Sequence, residues 1–255
     1  MCTAIIEVPR DSSRATRMLA VRDEDRNRPW DPPGQWWPEL PGVIGVRDRL
    51  ANGAWLAASP GRGTLAVLLN RAPGGPTHGA GTHADELTLR FSHATPATSG
   101  LRSRGSIVLA AAQGLPVSDH PGTGAFNLVE VSGSTARVTT WDGARVTRTD
   151  LEPGVHMIAH HEVNDPTTAR IARWLPEFRA LEGLADESWR AKWIALLDRT
   201  TDLHPDDDRA IVRDNTVHGY PTQSLLMCTA EVRRGSGVSG AEVELDYRVL
   251  PEKLG

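Results

Sequence analysis

The sequence predicts stacked, mostly antiparallel β-sheets enclosed by helices, in the α+β or α/β class. Short runs with β propensity, separated by clusters of Gly, Pro, Asn and Asp, dominate the first half of the chain. Apolar residues at helical spacing come late and are followed by two further β-like runs. Because a sheet must bury its apolar face, the late helices are expected to cover the sheets. At 255 residues the chain is long enough for one sizeable core, and we predict one domain over residues 1–255.

The elements are predicted in order along the chain. Strands are expected at residues 3–8, 18–21, 54–58, 65–69, 126–131, 136–141, 155–160, 222–232 and 243–249. Helices are expected at residues 106–113, from Pro166 onward, and around Trp189 and Trp193, while Asp206 to Asp208 would suit a further helix N-terminus. Residues 28–42 are rich in Trp and Pro and predict an ordered loop over the sheet, neither helix nor strand. Residues 72–100 predict a long surface excursion or a lid.

Composition excludes several classes of protein. The net charge is -4 with a pI near 6.1, and no run of Lys and Arg indicates binding to nucleic acid or to an anionic membrane. No segment is apolar for long enough to span a bilayer, and charged residues interrupt the N-terminus early, so we expect a cytoplasmic protein. The two cysteines are too few for a disulfide framework. The nine histidines lack the spacing of a zinc site, and no nucleotide-binding fingerprint is present, so neither metal nor cofactor is expected.

Cys2 is the strongest candidate for chemistry. If Met1 is removed, Cys2 carries a thiol and a free α-amine on one residue. An α-amine with a pKa of about 7.7 to 8.0 can accept the thiol proton near neutral pH, so the residue would supply both nucleophile and base. The β-like run that follows would hold it rigidly. The alternative is a cysteine at this position without a role.

Arg22 and Asp23 are predicted to lie beside Cys2, because a hairpin would return the second strand to the first. An arginine lowers the pKa of a neighbouring thiol, and a carboxylate orients an α-amine. Neighbouring strand residues point to opposite faces, so both side chains reach Cys2 only if the backbone departs from a regular strand there. The competing interpretation is a solvated turn with surface ion pairs.

Asn70 ends the fourth predicted strand, where its carboxamide could donate to an oxyanion, although an Asn in this place is also ordinary turn chemistry. His160 and His161 end another predicted strand, and surface or supporting roles are the usual ones for such histidines.

A series of short motifs resembles the Transport and Golgi organization 2 family, also called NRDE after its Asn-Arg-Asp-Glu motif. The series runs through most of the chain in the family's order: Met1-Cys2, Leu19-Ala20-Val21-Arg22-Asp23-Glu24, Arg28-Pro29, Asn52-Gly53-Ala54-Trp55-Leu56-Ala57, Gly63 to Asn70, Arg104-Gly105, Ala125-Phe126-Asn127-Leu128 and Pro153-Gly154. The family is in turn similar to N-terminal nucleophile (Ntn) hydrolases of the penicillin V acylase and bile salt hydrolase type.

The resemblance implies a four-layer αββα sandwich, with Cys2 as nucleophile and base, Arg22 and Asp23 beside it, and Asn70 in the oxyanion hole. Those relatives space their arginine and aspartate as Arg-x-x-Asp, which would select Asp25, so Asp25 is kept as the alternative carboxylate. Three departures from the family pattern stand out. Val21 replaces the motif's Asn, Gln223 stands in place of an Arg, and His160 stands where Ser-Asn is common. His160 is therefore included in the predicted site, as a residue that would affect which substrate carbonyl is held.

The function expected from these features is cleavage or transfer of an acyl group at a non-peptide C–N amide of a small molecule, through a Cys2 thioester. The alternative is a non-catalytic protein that binds or carries haem or another small molecule, since family members are associated with haem handling. A member whose site has decayed is a third interpretation, because of Val21 and Gln223. A homo-oligomer is possible in each case.

Overall fold

The fold consists of two antiparallel sheets, described by a computed structural model at residues 2–71, 103–216, 221–235 and 241–251. Sheet A has the strand order β10-β1-β2-β11-β12, and sheet B has the order β3-β4-β5-β6-β7-β8-β9. The strands of sheet A are β1 (Thr3–Val8), β2 (Thr16–Asp25), β10 (Gly154–Ile158), β11 (Thr222–Arg233) and β12 (Glu242–Val249). Those of sheet B are β3 (Trp30–Gly34), β4 (Ile44–Asp48), β5 (Ala54–Ser59), β6 (Thr64–Asn70), β7 (Phe126–Ser132), β8 (Thr135–Trp141) and β9 (Val146–Asp150).

Three α-helices lie in the described residues: α1 (Gly105–Ala112), α2 (Ala169–Arg179) and α3 (Trp189–Arg199). None of them is long and apolar enough to cross a membrane. Together with the sheets they make the protein a mixed α+β fold, as the sequence predicts.

Strand alternation divides the core into three apolar clusters. Successive strand residues point to opposite faces, so Ala4 and Ile6 of β1 join side chains of both sheets in one cluster, while Ile5 joins another. That second cluster packs Ile5 and its neighbours in sheet A against α2 and α3. A third packs the opposite face of sheet B, including Ala66, against α1. Each sheet is therefore apolar on both faces.

Most predicted elements are confirmed, with ends shifted by a few residues. Strand β1 has the predicted bounds, and the predicted helix at 106–113 is α1, one residue earlier. The helix expected from Pro166 begins at Ala169, because residues 165–168 form a turn in which the Asp165 carbonyl accepts from the Thr168 amide. The predicted strand 155–160 ends at Ile158. Residues 72–100, predicted as an excursion or lid, lie outside the described residues.

Two expectations are wrong, and two strands were missed. The segment 28–42 contains a strand, β3, at the edge of sheet B, where prolines are tolerated because one side of the strand needs no donors. Its tryptophans behave as expected, since Trp37 is buried. Strands β4 and β9 were not predicted, because neither has a clear apolar run. No α-helix begins at Asp206 to Asp208 in residues 203–215, where Asp207 instead pairs with Arg209.

A contact between two glycines seats α1 on sheet B. A β-carbon on Gly105, the first residue of α1, would lie 2.6 Å from the Cα of Gly53 and 2.9 Å from the amide nitrogen of Ala54. The two backbones therefore approach closely only because neither residue has a side chain. Gly53 and Gly105 belong to the motifs that resemble the family, so this contact gives both motifs a physical reason.

We expect Gly105→Ala to lower the free energy of unfolding by about 1–3 kcal/mol, because the added methyl group overlaps backbone that cannot move aside. Gly61→Ala is the control, since a β-carbon at Gly61 meets no atom within 4 Å, and we expect it to change stability by less than about 0.5 kcal/mol. Chemical denaturation of both variants measures the difference. Equal stability of the two variants would contradict the proposed packing.

Candidate active site

Cys2 directly precedes β1, the strand that lies between β10 and β2 in sheet A. Its side chain is 5% exposed and belongs to the apolar cluster between the sheets. The thiol donates to the carbonyl oxygen of Asp23 at 3.6 Å, and the amide of Asp23 donates to Sγ at 3.4 Å. The sulfur is therefore fixed against the backbone of β2.

The strand pairing brings both Arg22 and Asp23 to Cys2. Thr3 pairs with Val21, so the next pair places Cys2 opposite Arg22. The predicted departure from a regular strand does not occur in β2, which is continuous over Thr16–Asp25; Asp23 contacts the Cys2 sulfur through its backbone, and the irregularity lies in the partner strand. Strand β11 has a register shift at Leu225, between Ser224, which pairs with Asp23, and Leu226, which pairs with Arg22.

Arg22 brings a buried positive charge to the site. The residue is 2% exposed, and its Nη2 donates to Glu24 Oε2 at 3.4 Å. Its Nη1 is buried and has no hydrogen-bond partner in the described part of the chain. A buried guanidinium with an unused donor is costly, so such a group needs a functional explanation.

The thiol itself is held in its neutral form. Burial raises the pKa of Cys2, and the carboxylate of Asp23 raises it further. The Asp23 amide and the Arg22 guanidinium lower that pKa, as the sequence predicts for Arg22, but the effect of burial is larger. Cys2 therefore needs a base in order to react near neutral pH.

Asp23, and not Asp25, lies against Cys2. Asp23 is 7% exposed, and its Oδ1 accepts from the hydroxyl of Ser224 at 2.5 Å. The Oδ1 of Asp25 accepts from the backbone amide of Asn27 at 2.9 Å, in the turn after β2. The geometry thus gives Asp25 a local role in the turn.

Arg170 is a site residue that the sequence analysis missed. It lies on α2, is 3% exposed, and donates from Nη1 to the hydroxyl of Thr3 at 3.2 Å. Burial lowers the pKa of Arg170 to about 10, the positive charge of Arg213 lowers it further, and Asp23 and the Cys2 thiol oppose the shift. A signal was available, because Arg170 precedes Trp174 and Phe178 at intervals of four and so lies on the buried stripe of its helix.

Arg104 approaches the same region from sheet B. It directly precedes α1, and its Nη1 donates to the carbonyl of Ala125 at 3.1 Å. Burial lowers the pKa of Arg104, whereas Glu24 and the Cys2 thiol raise it. Arg104 was noted as part of a family motif but was given no role. Arg22 on β2, Arg104 before α1 and Arg170 on α2 thus all interact electrostatically with the thiol.

His160 lies two residues beyond β10, with its ring centroid 4.3 Å from that of His161. Burial lowers the pKa of His160 to about 2, and the charge of Arg170 lowers it further, so the ring is neutral. Its Nδ1 is buried and has no hydrogen-bond partner in residues 2–71, 103–216, 221–235 and 241–251. His160 therefore belongs to the Arg170 side of the site.

Asn70 is not brought to Cys2 by the strand pattern. It pairs with Phe126 and shares the face of β6 that carries Ala66 and Leu68, which belong to the cluster under α1. Cys2 belongs to the cluster on the opposite face. The oxyanion role of Asn70 stays a prediction.

Asn127 is instead the asparagine that faces the space between the sheets. It is fully buried, and its Nδ2 donates to the carbonyls of Ala159 at 3.0 Å and His161 at 2.7 Å. Its Oδ1 accepts from the hydroxyl of Thr140 at 2.9 Å. Asn127 thereby ties the segment that contains His160 to sheet B. The only sequence signal for a role of Asn127 is its place in the family motif Ala125-Phe126-Asn127-Leu128.

Comparison of the sequence with known protein families identifies the family of this chain. The sequence profile described as Transport and Golgi organisation 2 matches residues 1–227. The chain belongs to this family. The resemblance seen in the short motifs is thereby confirmed, and the match includes every predicted site residue. A comparison with curated proteins gives no match. No group of three His, Cys, Asp or Glu side chains suited to a metal ion occurs among the described residues of this family member.

The buried neutral ring of His160 predicts acid sensitivity. The pKa of His160 is about 2 in the folded chain and about 6.5 in an unfolded chain. The neutral ring therefore contributes its full stability above pH ~6.5, and this contribution is lost as the pH falls below that value. We expect His160→Gln to reduce the slope of unfolding free energy against pH by up to about 1.4 kcal/mol per pH unit below this value. Denaturation at a series of acidic pH values measures the slope. His120→Gln, at an exposed histidine, is the control, and equal slopes in the two variants would contradict the assignment.

Proposed function

We propose that this family member is an amidohydrolase or acyltransferase that acts on a non-peptide C–N amide of a small molecule through a Cys2 thioester. The proposal rests on the contacts and charges around Cys2. A buried thiol is fixed against the Asp23 backbone, opposite a buried Arg22 with an unused donor. A core cysteine without a role would gain nothing from a buried charge beside it, since burying a charge is costly.

The proposed fold is the four-layer αββα sandwich of Ntn hydrolases. The support is the order of the apolar clusters, in which α2 and α3 pack on sheet A, sheet A packs on sheet B, and sheet B packs on α1. In this fold the N-terminal residue of the mature chain is the nucleophile. Cys2 is at the corresponding place if Met1 is removed.

The reaction begins when the α-amine of Cys2 takes the thiol proton and Sγ attacks the amide carbonyl. The carbonyl π bond opens to give a tetrahedral intermediate with a negative oxygen. When the intermediate collapses, the C–N bond breaks, the amine of Cys2 returns the proton to the leaving nitrogen, and a thioester remains. Water then hydrolyses the thioester, or a second amine accepts the acyl group.

Positive charge is the main contribution of the surrounding residues. The raised pKa of Cys2 makes the thiolate unfavourable, so formation of the thiolate and of the oxyanion both need a nearby cation. Arg22 is the closest candidate, and Arg104 and Arg170 add to the positive potential. Asp23 would orient the amine of Cys2. The family resemblance implies Asn70 as the oxyanion donor, and this role would require its side chain to reach Cys2 from the other face of β6.

Haem binding, cellular location, oligomeric state and cofactor use are supported less directly than the reaction at Cys2. Binding or transport of haem is the second candidate, and no contact in the described residues favours it over catalysis. The cytoplasmic location, a homo-oligomeric state and the absence of a cofactor also stay predictions.

We expect Cys2→Ala to abolish release of amine from a panel of small N-acyl amides, by about 10³-fold or more, because the covalent step is lost. Cys228→Ala is the matched control. Cys228 is also a fully buried cysteine of sheet A, and burial raises its pKa far above the usual range, so its removal leaves the proposed chemistry intact. Amine release by both variants, measured at neutral pH, decides the matter. Undiminished activity of the Cys2→Ala variant would overturn the proposal.

A further inference from the structure

The carboxylate of Asp23 is held by a short chain of hydrogen bonds that begins outside the strands. The backbone amide of Arg213 donates to Ser224 Oγ at 2.8 Å, and Ser224 Oγ donates to Asp23 Oδ1 at 2.5 Å. The amide of Ser224 also donates to the carbonyl of Arg213 at 2.8 Å. Ser224 is 6% exposed and Asp23 is 7% exposed, so neither bond is exchanged readily with water.

The direction of this chain is fixed by the chemistry of its groups. A backbone amide can only donate, so Ser224 Oγ accepts from Arg213. A hydroxyl has a single proton, and the geometry sends that proton to Asp23 Oδ1. The carboxylate oxygen must then be an acceptor. A hydrogen bond from a hydroxyl to a carboxylate is among the stronger kinds in proteins and fixes the orientation of the carboxylate.

The bulge in β11 is what presents the hydroxyl. Leu225 is the extra residue between Ser224 and Leu226, and both leucines belong to the cluster between the sheets. Two successive residues thus occupy the same face, and Ser224 takes the other, opposite Asp23. If β11 paired regularly with β2, Leu225 would lie opposite Asp23, and Ser224 would lie opposite Glu24 on the face between the sheets.

Other titratable groups also lie near the Asp23 carboxylate, and they come from neighbouring elements. They are the Cys2 thiol before β1, Arg22 on β2 itself, Arg170 on α2, and Arg213 with its partner Asp208 between α3 and β11. The three arginines among them attract the carboxylate but do not fix its direction. The directional hydrogen bond from Ser224 fixes the orientation of the carboxylate, which the charges alone do not.

We propose that Ser224 is a positioning residue of the Cys2 site, which fixes the Asp23 carboxylate through the bonds from Arg213 to Ser224 and from Ser224 to Asp23. The inference rests on the proposed function, because it gives a role to the carboxylate beside the nucleophile. Ser224 also withdraws negative charge from Asp23. Since that charge disfavours the thiolate, loss of the hydroxyl makes Cys2 harder to ionise.

The test is a titration of the Cys2 thiolate by its ultraviolet absorbance, with the Cys2→Ala variant subtracted as blank. We expect Ser224→Ala to raise the midpoint by about half to one pH unit, and Ser224→Thr, which keeps the hydroxyl, to restore it. Thr229→Val is the matched control. Thr229 is a buried residue of the same strand whose hydroxyl accepts from Arg190 at 3.1 Å, so its loss should leave the midpoint unchanged.

A double-mutant comparison separates positioning from a general loss of stability. In an Asp23→Asn background the carboxylate charge is absent, so Ser224→Ala should no longer move the midpoint. A shift that survives Asp23→Asn, or no shift in Ser224→Ala alone, would overturn the inference. The titration needs no substrate. Cleavage of amides by the Cys2→Ala variant would therefore refute the proposed function without changing this result.

Discussion

The site depends on the position of Cys2 at the start of a strand that is hydrogen-bonded along both edges. Strand β1 lies between β10 and β2, and the sulfur itself contacts the backbone of β2. A residue that precedes a strand is often mobile, but here the sheet fixes the Cα of Cys2 and the Asp23 backbone fixes its side chain. This rigidity has a cost. The same burial raises the pKa of the thiol, so the proposed chemistry requires the residues around Cys2 to favour its ionisation in other ways.

The surrounding charges follow from that requirement. Arg22 comes from sheet A, Arg104 from the start of the helix on sheet B, and Arg170 from the helix on sheet A. Each element presents its arginine to the region of Cys2 while burying an apolar stripe on a sheet. The fold therefore concentrates positive charge at one place although the chain as a whole is acidic. Asp23 is a single carboxylate within this group, so its direction matters, and Ser224 and the bulge in β11 supply that direction.

The sequence was sufficient for features that depend on local patterns. The alternation of apolar residues predicted strands such as β1 and β11, and helical spacing predicted α2 and α3. Strand β9 was not found because it is mostly exposed at a sheet edge, so it lacks the apolar signal. Strand β3 was not found because its prolines argue against any central strand. The hairpin of β1 and β2 correctly suggested that Arg22 and Asp23 approach Cys2.

Features that depend on contacts between distant segments could not be read in this way. The choice between Asp23 and Asp25 depends on the pairing of β2 with β11, some 200 residues later, and on one extra residue at Leu225. The helical spacing of Arg170 indicates that it is buried, but not that its guanidinium lies near Cys2, which depends on how α2 packs on sheet A. The face occupied by Asn70 depends on the alternation of β6 relative to the inner cluster, and the family resemblance does not contain that information.

The central claim is that Cys2 presents a free α-amine together with its thiol. The most direct measurement is the intact mass of untagged protein before and after reaction with 2-cyanobenzothiazole, which condenses with N-terminal cysteine through both groups and releases ammonia. The reaction is performed on the native chain and after unfolding, with Cys2→Ala as the blank. The account predicts a mass without Met1 and one condensation per chain at Cys2 after unfolding. A chain that retains Met1 and does not condense when unfolded would contradict it, because its Cys2 has no amine to act as base.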